Sequence, residues 1–107
     1  MNFGNKYLKG QFAHEDLILA YGDEESLIVL EDTMIGLVTE ETTFSGDYDG
    51  IIGLAYPSFA EKNVLPFFDN LMKDKLIEQN VFSFFLSNHS GESSELMLGG
   101  WDDTKYS

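Results

Sequence analysis

The chain of 107 residues contains no cysteine. Disulfides, thiol nucleophiles and thiolate metal sites are therefore excluded, and cysteine usage points to no compartment. Basic residues are scarce: six Lys and Arg stand against 19 Asp and Glu, a formal net charge of -13. Such a surface repels phosphate backbones and anionic lipid, which argues against nucleic-acid and membrane partners. The charge itself has two readings. One is solubility; the other is work at acidic pH, where many of these carboxylates are neutral. No apolar run approaches the roughly 20 residues of a membrane span. The first residues are polar and contain glycine, which is not the pattern of a signal peptide. The two histidines, His14 and His89, stand apart without metal-ligand spacing. There is no Ser/His/Asp arrangement and no phosphate-cradling glycine loop. The acidic "DEES" at 23–26 lacks the spacing of a calcium loop and reads as a solvated turn.

What is present suits one small, mostly β domain. Hydrophobic residues make up 43% of the chain, enough for a core and too many for wholesale disorder. Nine phenylalanines and five tyrosines favour a pleated, half-buried surface. At this length about 65% of the unfolded surface is buried on folding, so stability is modest. "GNK" at 4–6 is a hairpin turn signal. "DLILAYG" (16–22) and "LIVLEDTMIGLV" (27–38) read as strands, with a charged turn between them. The "LIVLEDTMIGLV" run is long enough for one or two buried segments. An acidic loop over 39–47 leads to "YDGIIGLAYP" at 48–57, which has strand chemistry. "NVFSFFLS" (80–87) and "ELMLGG" (95–100) form a second hairpin around the turn "NHSGESS".

One short amphipathic helix is expected within "NVLPFFDNLMKDKLI". Val64, Phe67, Phe68, Leu71 and Met72 fall on one face of a 3.6-residue period. Asn63 is placed to cap it and Pro66 to sit in its first turn. Asp69 and Lys73 have i,i+4 spacing, and Lys73 and Lys75 lie near the negative end of the helix dipole.

Gly50 and Gly53 interrupt "YDGIIGLAYP". Glycine inside a strand costs entropy and packs nothing, so either an ordinary bulge or a close backbone approach demands it. Here the sequence resembles pepsin-like aspartic endopeptidases. Their corresponding segment reads aromatic-Asp-Gly-apolar-apolar-Gly-apolar-Ala-Tyr/Phe-Pro. "NVLPFFDNLMKDKLIEQNVFSFFLS" and "ELMLGGWDDTKYS" are similar to the cathepsin D branch and its vacuolar relatives. "MNFGNKYLKGQFAHEDL" is similar to the family's flap hairpin. The resemblance spans essentially the whole chain and implies a single partial domain, 1–107, from the flap to the end of the N-terminal lobe. It implies that Gly53 lies where this strand crosses beneath the catalytic loop, and that Gly50 begins the strand behind Asp49.

The family hydrolyses peptides with two aspartates from D-T-G or D-S-G turns. One is protonated and one ionised, acting as acid and base on a shared water. Neither turn occurs in this sequence. Asp32-Thr33-Met34 and Asp103-Thr104-Lys105 are the nearest approaches, and both read as structural or solvated. The resemblance thus implies a fragment or truncated form of an aspartic-type endopeptidase with no catalytic residue of its own, inactive alone. By the resemblance, the substrate-binding positions are Phe3, Gly4 and Asn5 of the flap, with Phe44 and Ile51 lining the pocket nearest the scissile bond. Phe3 stands where the family has tyrosine, and Lys6 replaces the second flap glycine. Read without the family, Phe3 is a strand aromatic, and Phe44 and Ile51 are core residues. No cofactor or metal is implied, and the partner of the complete enzyme is a polypeptide. Lysosome, vacuole or secretion would be the compartment. Asn88-His89-Ser90 fits the N-glycosylation pattern. The alternative is a non-catalytic, β-rich remnant that binds peptides or partners. For the isolated chain, self-association is expected through unpaired strand edges.

Overall fold

The computed structural model describes residues 2–3, 5–22, 26–42 and 47–105, and of Phe3 the backbone alone. The chain divides into two units, Met1–Asn70 and Leu71–Ser107.

The first unit is built on a three-stranded antiparallel sheet in the order β1-β2-β3. β1 is Asn2–Phe3, β2 is Lys6–Tyr21 and β3 is Ser26–Glu41. Phe3 pairs with Lys6, so residues 4 and 5 connect β1 to β2. β2 and β3 run side by side from Leu8↔Glu41 to Tyr21↔Ser26. The apolar runs at 17–20 and 27–30 face each other across this ladder. Leu17 meets Leu30 and Leu19 meets Ile28 on one face, while Ile18 meets Val29 and Ala20 meets Leu27 on the other. The first face is covered, with Leu30 fully buried. The second is open: Ile18 is 63% and Leu27 58% exposed.

The register shifts twice, between Lys9 and Gly10 and between Glu15 and Leu17. At the second shift Asp32 takes a left-handed backbone, φ 50°. Aspartate tolerates that region better than most residues because its short side chain bonds locally. The Asp32 N–H donates to Asp16 Oδ1 at 2.9 Å, and the Thr33 hydroxyl, in a residue only 5% exposed, donates to the Leu30 carbonyl at 3.4 Å.

The strand expected over 48–57 does not form: no strand pairing includes these residues. A strand exists through the hydrogen bonds of its neighbours, and no described strand pairs with "YDGIIGLAYP". Its exit is tightened by a 3₁₀ turn, Pro57–Phe59, followed by a second turn at Glu61–Asn63.

The helix, α1, is Phe67–Lys73 and shorter than its apolar pattern suggests. Asn63 is not its cap, having φ 59° four residues upstream. Pro66 sets the start, because a residue before proline avoids helical backbone, which keeps Leu65 out. The Asn70 N–H donates to the Pro66 carbonyl at 3.0 Å, and the Asn70 side chain reaches back to the Leu65 carbonyl at 3.0 Å. Of the expected face, Phe68 and Leu71 are buried. The end is a Schellman motif: the Leu76 N–H donates to Leu71 and the Lys75 N–H to Met72, with Lys75 at φ 56°. A side chain in left-handed backbone costs about 1 kcal/mol that glycine avoids. Lys75→Gly is therefore expected to raise the unfolding free energy, read from urea unfolding at pH 7, by roughly 0.5 kcal/mol after the entropy glycine adds to the unfolded chain. A lowered midpoint would show that lost contacts of the Lys75 side chain outweigh the backbone strain.

The second unit carries a two-stranded antiparallel sheet, β4 (Phe82–Phe85) and β5 (Glu95–Leu98). Phe82 faces Leu98 and Phe85 faces Glu95. Phe82 and Phe84 meet edge to face at 6.2 Å. The Gly99 N–H donates to the Val81 carbonyl at 2.7 Å and the Ser83 hydroxyl to the Gly100 carbonyl at 3.0 Å. Both bonds prolong the pairing beyond the ladder.

Candidate functional site

The two-residue connection between β1 and β2 forms the tip of a hairpin whose long arm continues as β2. Asn5 occupies that tip and is exposed. Gly4 and Phe44, and the side chain of Phe3, lie outside the described residues. Ile51 is 57% exposed in the unpaired stretch after residue 47, and so is not a core residue of this chain. Neither Gly50 nor Gly53 has any atom within 4 Å of the place a Cβ would take. No described residue of this chain therefore supplies the crossing that the resemblance implies at Gly53. Among the described glycines it is Gly10, not singled out by the sequence, whose Cβ would strike backbone, at Leu37 and Val38.

The base of the hairpin is tied by Tyr7. Its N–H donates to Thr42 Oγ1 at 2.9 Å, its carbonyl accepts from the Thr42 N–H at 3.1 Å, and its hydroxyl donates to Glu40 Oε1 at 2.7 Å. That hydrogen bond, reinforced by the negative charge of Glu40, raises the Tyr7 pKa above the usual phenol range. A raised pKa favours the neutral hydroxyl in the folded chain. The associated stability is present below the ordinary tyrosine pKa and lost only at strongly alkaline pH.

Asp32 has a solvated carboxylate whose side chain is 83% exposed, and its Oδ1 lies 2.9 Å from His14 Nδ1. His14 and His89 are exposed as expected, but neither is isolated, since His89 Nδ1 lies 3.6 Å from Glu92 Oε2. No sequence signal marks the first pair, because the bulge at residues 15–17 brings it together. At the other near-motif, Asp102 carries the turn. Its Oδ1 accepts from the Thr104 hydroxyl at 2.6 Å and from the Thr104 N–H at 2.9 Å, capping the 3₁₀ turn Asp103–Lys105. These bonds from Thr104 hold the Asp102 pKa below the usual carboxylate range. Asp103 accepts from Trp101 Nε1 at 2.6 Å. The first near-motif thus lies at a register shift within β3, and the second in a 3₁₀ turn.

Among the described residues, no group of three or more His, Asp or Glu is arranged to hold a metal ion. Among the same residues no helix is long and apolar enough to cross a membrane. A depression lined by Ser83, Phe85, Glu95, Met97, Asp102 and Lys105 holds about 10 Å³, the space of one water molecule. The Lys105 ammonium covers the Phe85 ring there at 4.6 Å.

Comparison with known proteins agrees with the motifs. A model of the eukaryotic aspartyl protease family matches residues 1–107. Human cathepsin D is 36% identical over 116 aligned positions, covering 99% of this chain and 28% of its own length. Bovine cathepsin D is 54% identical over 61 positions, and pepsin-2B of Gadus morhua 49% over 59, each covering 55% of this chain. The chain thus spans at most 28% of these relatives' length. The mostly β architecture with one short helix is that of the N-terminal lobe of a pepsin-like fold. This chain belongs to the eukaryotic aspartyl protease family.

Proposed function

We propose that this chain is the part of a pepsin-like aspartic endopeptidase from the flap hairpin to the end of the N-terminal lobe, one partial domain supplying the flap and one wall of the cleft. The observation that carries this reading is the Phe3↔Lys6 pairing, which places the tip of a hairpin at the residues that resemble the flap. Phe3, Gly4 and Asn5 would close over a bound polypeptide, with Phe44 and Ile51 forming pocket walls from the opposite side. Gly50 and Gly53 would leave room for backbone contributed from outside the described residues.

The complete enzyme would cut polypeptides at acid pH, in a lysosome, a vacuole or outside the cell. Two carboxylates sharing one proton would divide the work of acid and base. This sequence carries neither D-T-G nor D-S-G. Without that pair, nothing deprotonates the attacking water or protonates the departing amide. The 107-residue chain is therefore expected to show no turnover of a fluorogenic peptide at about pH 3–5, the range around carboxyl pKa values. Turnover abolished by a transition-state mimic would overturn the inactivity. Reading the transcript in frame on both sides tests the wider proposal. A D-T/S-G turn on each side is expected. An in-frame stop before either one would leave a non-catalytic remnant.

A further inference from the structure

We propose that Asn88, in the loop between β4 and β5, is an acceptor for an N-linked oligosaccharide. Asn88-His89-Ser90 has the required Asn-x-Ser order, with no proline at the middle position. All three residues are exposed. The loop is held by other groups. The Ser87 N–H donates to Ser94 Oγ at 3.0 Å, the Ser87 hydroxyl to Glu92 Oε2 at 2.7 Å, and the Glu92 N–H to the His89 carbonyl at 3.3 Å. The side chains of Asn88 and Ser90 take part in none of these bonds. Modification would therefore displace no hydrogen-bond partner among the described residues. Gly91, at φ 88°, turns the chain directly after Ser90.

The donor would be an oligosaccharide on a lipid pyrophosphate. A bond forms between Asn88 Nδ2 and the sugar C1, the bond from C1 to the pyrophosphate oxygen breaks, and the amide proton leaves with the released lipid pyrophosphate. The hydroxyl of Ser90 is the group the transferase reads.

The full chain, secreted from eukaryotic cells behind a cleavable leader and carrying one reference acceptor sequence in a C-terminal tag, tests this. Only molecules with the tag glycan are scored, so entry to the secretory route is assured for each. Two glycans are expected, with glycosidase release converting Asn88 to Asp. Asn88→Gln and Ser90→Ala should each leave the tag glycan alone, while Ser90→Thr should keep both. A parent chain bearing only the tag glycan, or a second glycan that persists in Asn88→Gln, overturns the assignment. The result is independent of the protease reading, since neither outcome depends on catalysis.

Discussion

Gly10→Val is expected to unpair the first half of the β2–β3 hairpin. Gly10 faces Val38 beside a register shift, where the partner strand comes unusually close. A Cβ there would lie 2.8 Å from the Leu37 carbonyl carbon and 3.0 Å from Val38 Cα, and closer still to the Leu37 oxygen. All three are backbone atoms, so no side chain can swing aside. The strands must part or slip, and overpacking of this kind costs about 1–3 kcal/mol or more. A slip by one residue would turn every side chain to the other face. Gly10→Ala should act in the same direction, because the first carbon already collides. Gly36→Ala, on the facing strand with nothing within 4 Å, is the control. Amide exchange should accelerate across β2 and β3 in the Gly10 variants alone. Equal protection in Gly10→Ala and Gly36→Ala would refute the close approach.

The second large effect is on association. At neutral pH the chain is expected to stay dispersed, and to aggregate steeply as pH falls from 7 toward 4. The attraction is visible in the hairpin. Ile18, Leu27, Val29, Leu37 and Val38 are all more than 40% exposed, and β3 is an edge strand. Unpaired edges beside apolar side chains invite pairing with another copy. The net charge of -13 opposes this by mutual repulsion. Protonation of Asp and Glu near about pH 4 removes that repulsion, and the sequence pI of about 4.1 puts zero net charge in the same place. Asp102 acts below this range. Its folded pKa is depressed, so its contribution is present above the ordinary carboxylate pKa and lost as pH falls through the lower folded value. Light scattering from pH 7 to 4, with hydrogen exchange at both ends, measures the outcome. Added salt near 1 M at pH 7, where the screening length is only about 3 Å, should reproduce part of the association. A monomer with slow, cooperative exchange at both pH values would show that the exposed face is harmless.

Several elements were legible in the residues because their signals are local. The turn at 4–6 and the hairpin around "NHSGESS" follow from turn chemistry. The strands at 16–22 and 27–38 follow from apolar, β-branched runs, although both extend further, to Lys6–Tyr21 and Ser26–Glu41. Extension through Gly10 and Asp32 depends on the partner strand. Glycine spacing was a poorer guide. Gly53 drew notice because it interrupts a strand-like run, yet its surroundings are open, whereas Gly10 is the one pressed against backbone. Spacing cannot tell these apart, since close approach is set by a residue 28 positions away in the chain at Val38. The candidate site was legible only through family motifs. Its local chemistry, an exposed hairpin tip and an exposed isoleucine, carries no signal of its own.

By itself the sequence determined that this chain is mostly β, acidic, without cysteine and a member of the aspartyl protease family, and that no D-T-G or D-S-G occurs within these 107 residues. These follow from composition, short-range pattern and motif order, which need no partner to be read. The tertiary structure alone decided where β2 and β3 change register and which face of their apolar pairs is covered. It decided that Asp32 meets His14, that Pro66 shortens the helix, and that "YDGIIGLAYP" remains unpaired. Most of these outcomes depend on a second segment of chain brought close by folding. A residue can be suited to a strand, a bulge or a contact, but the neighbour that completes the hydrogen bonds and excludes the water is chosen only in three dimensions.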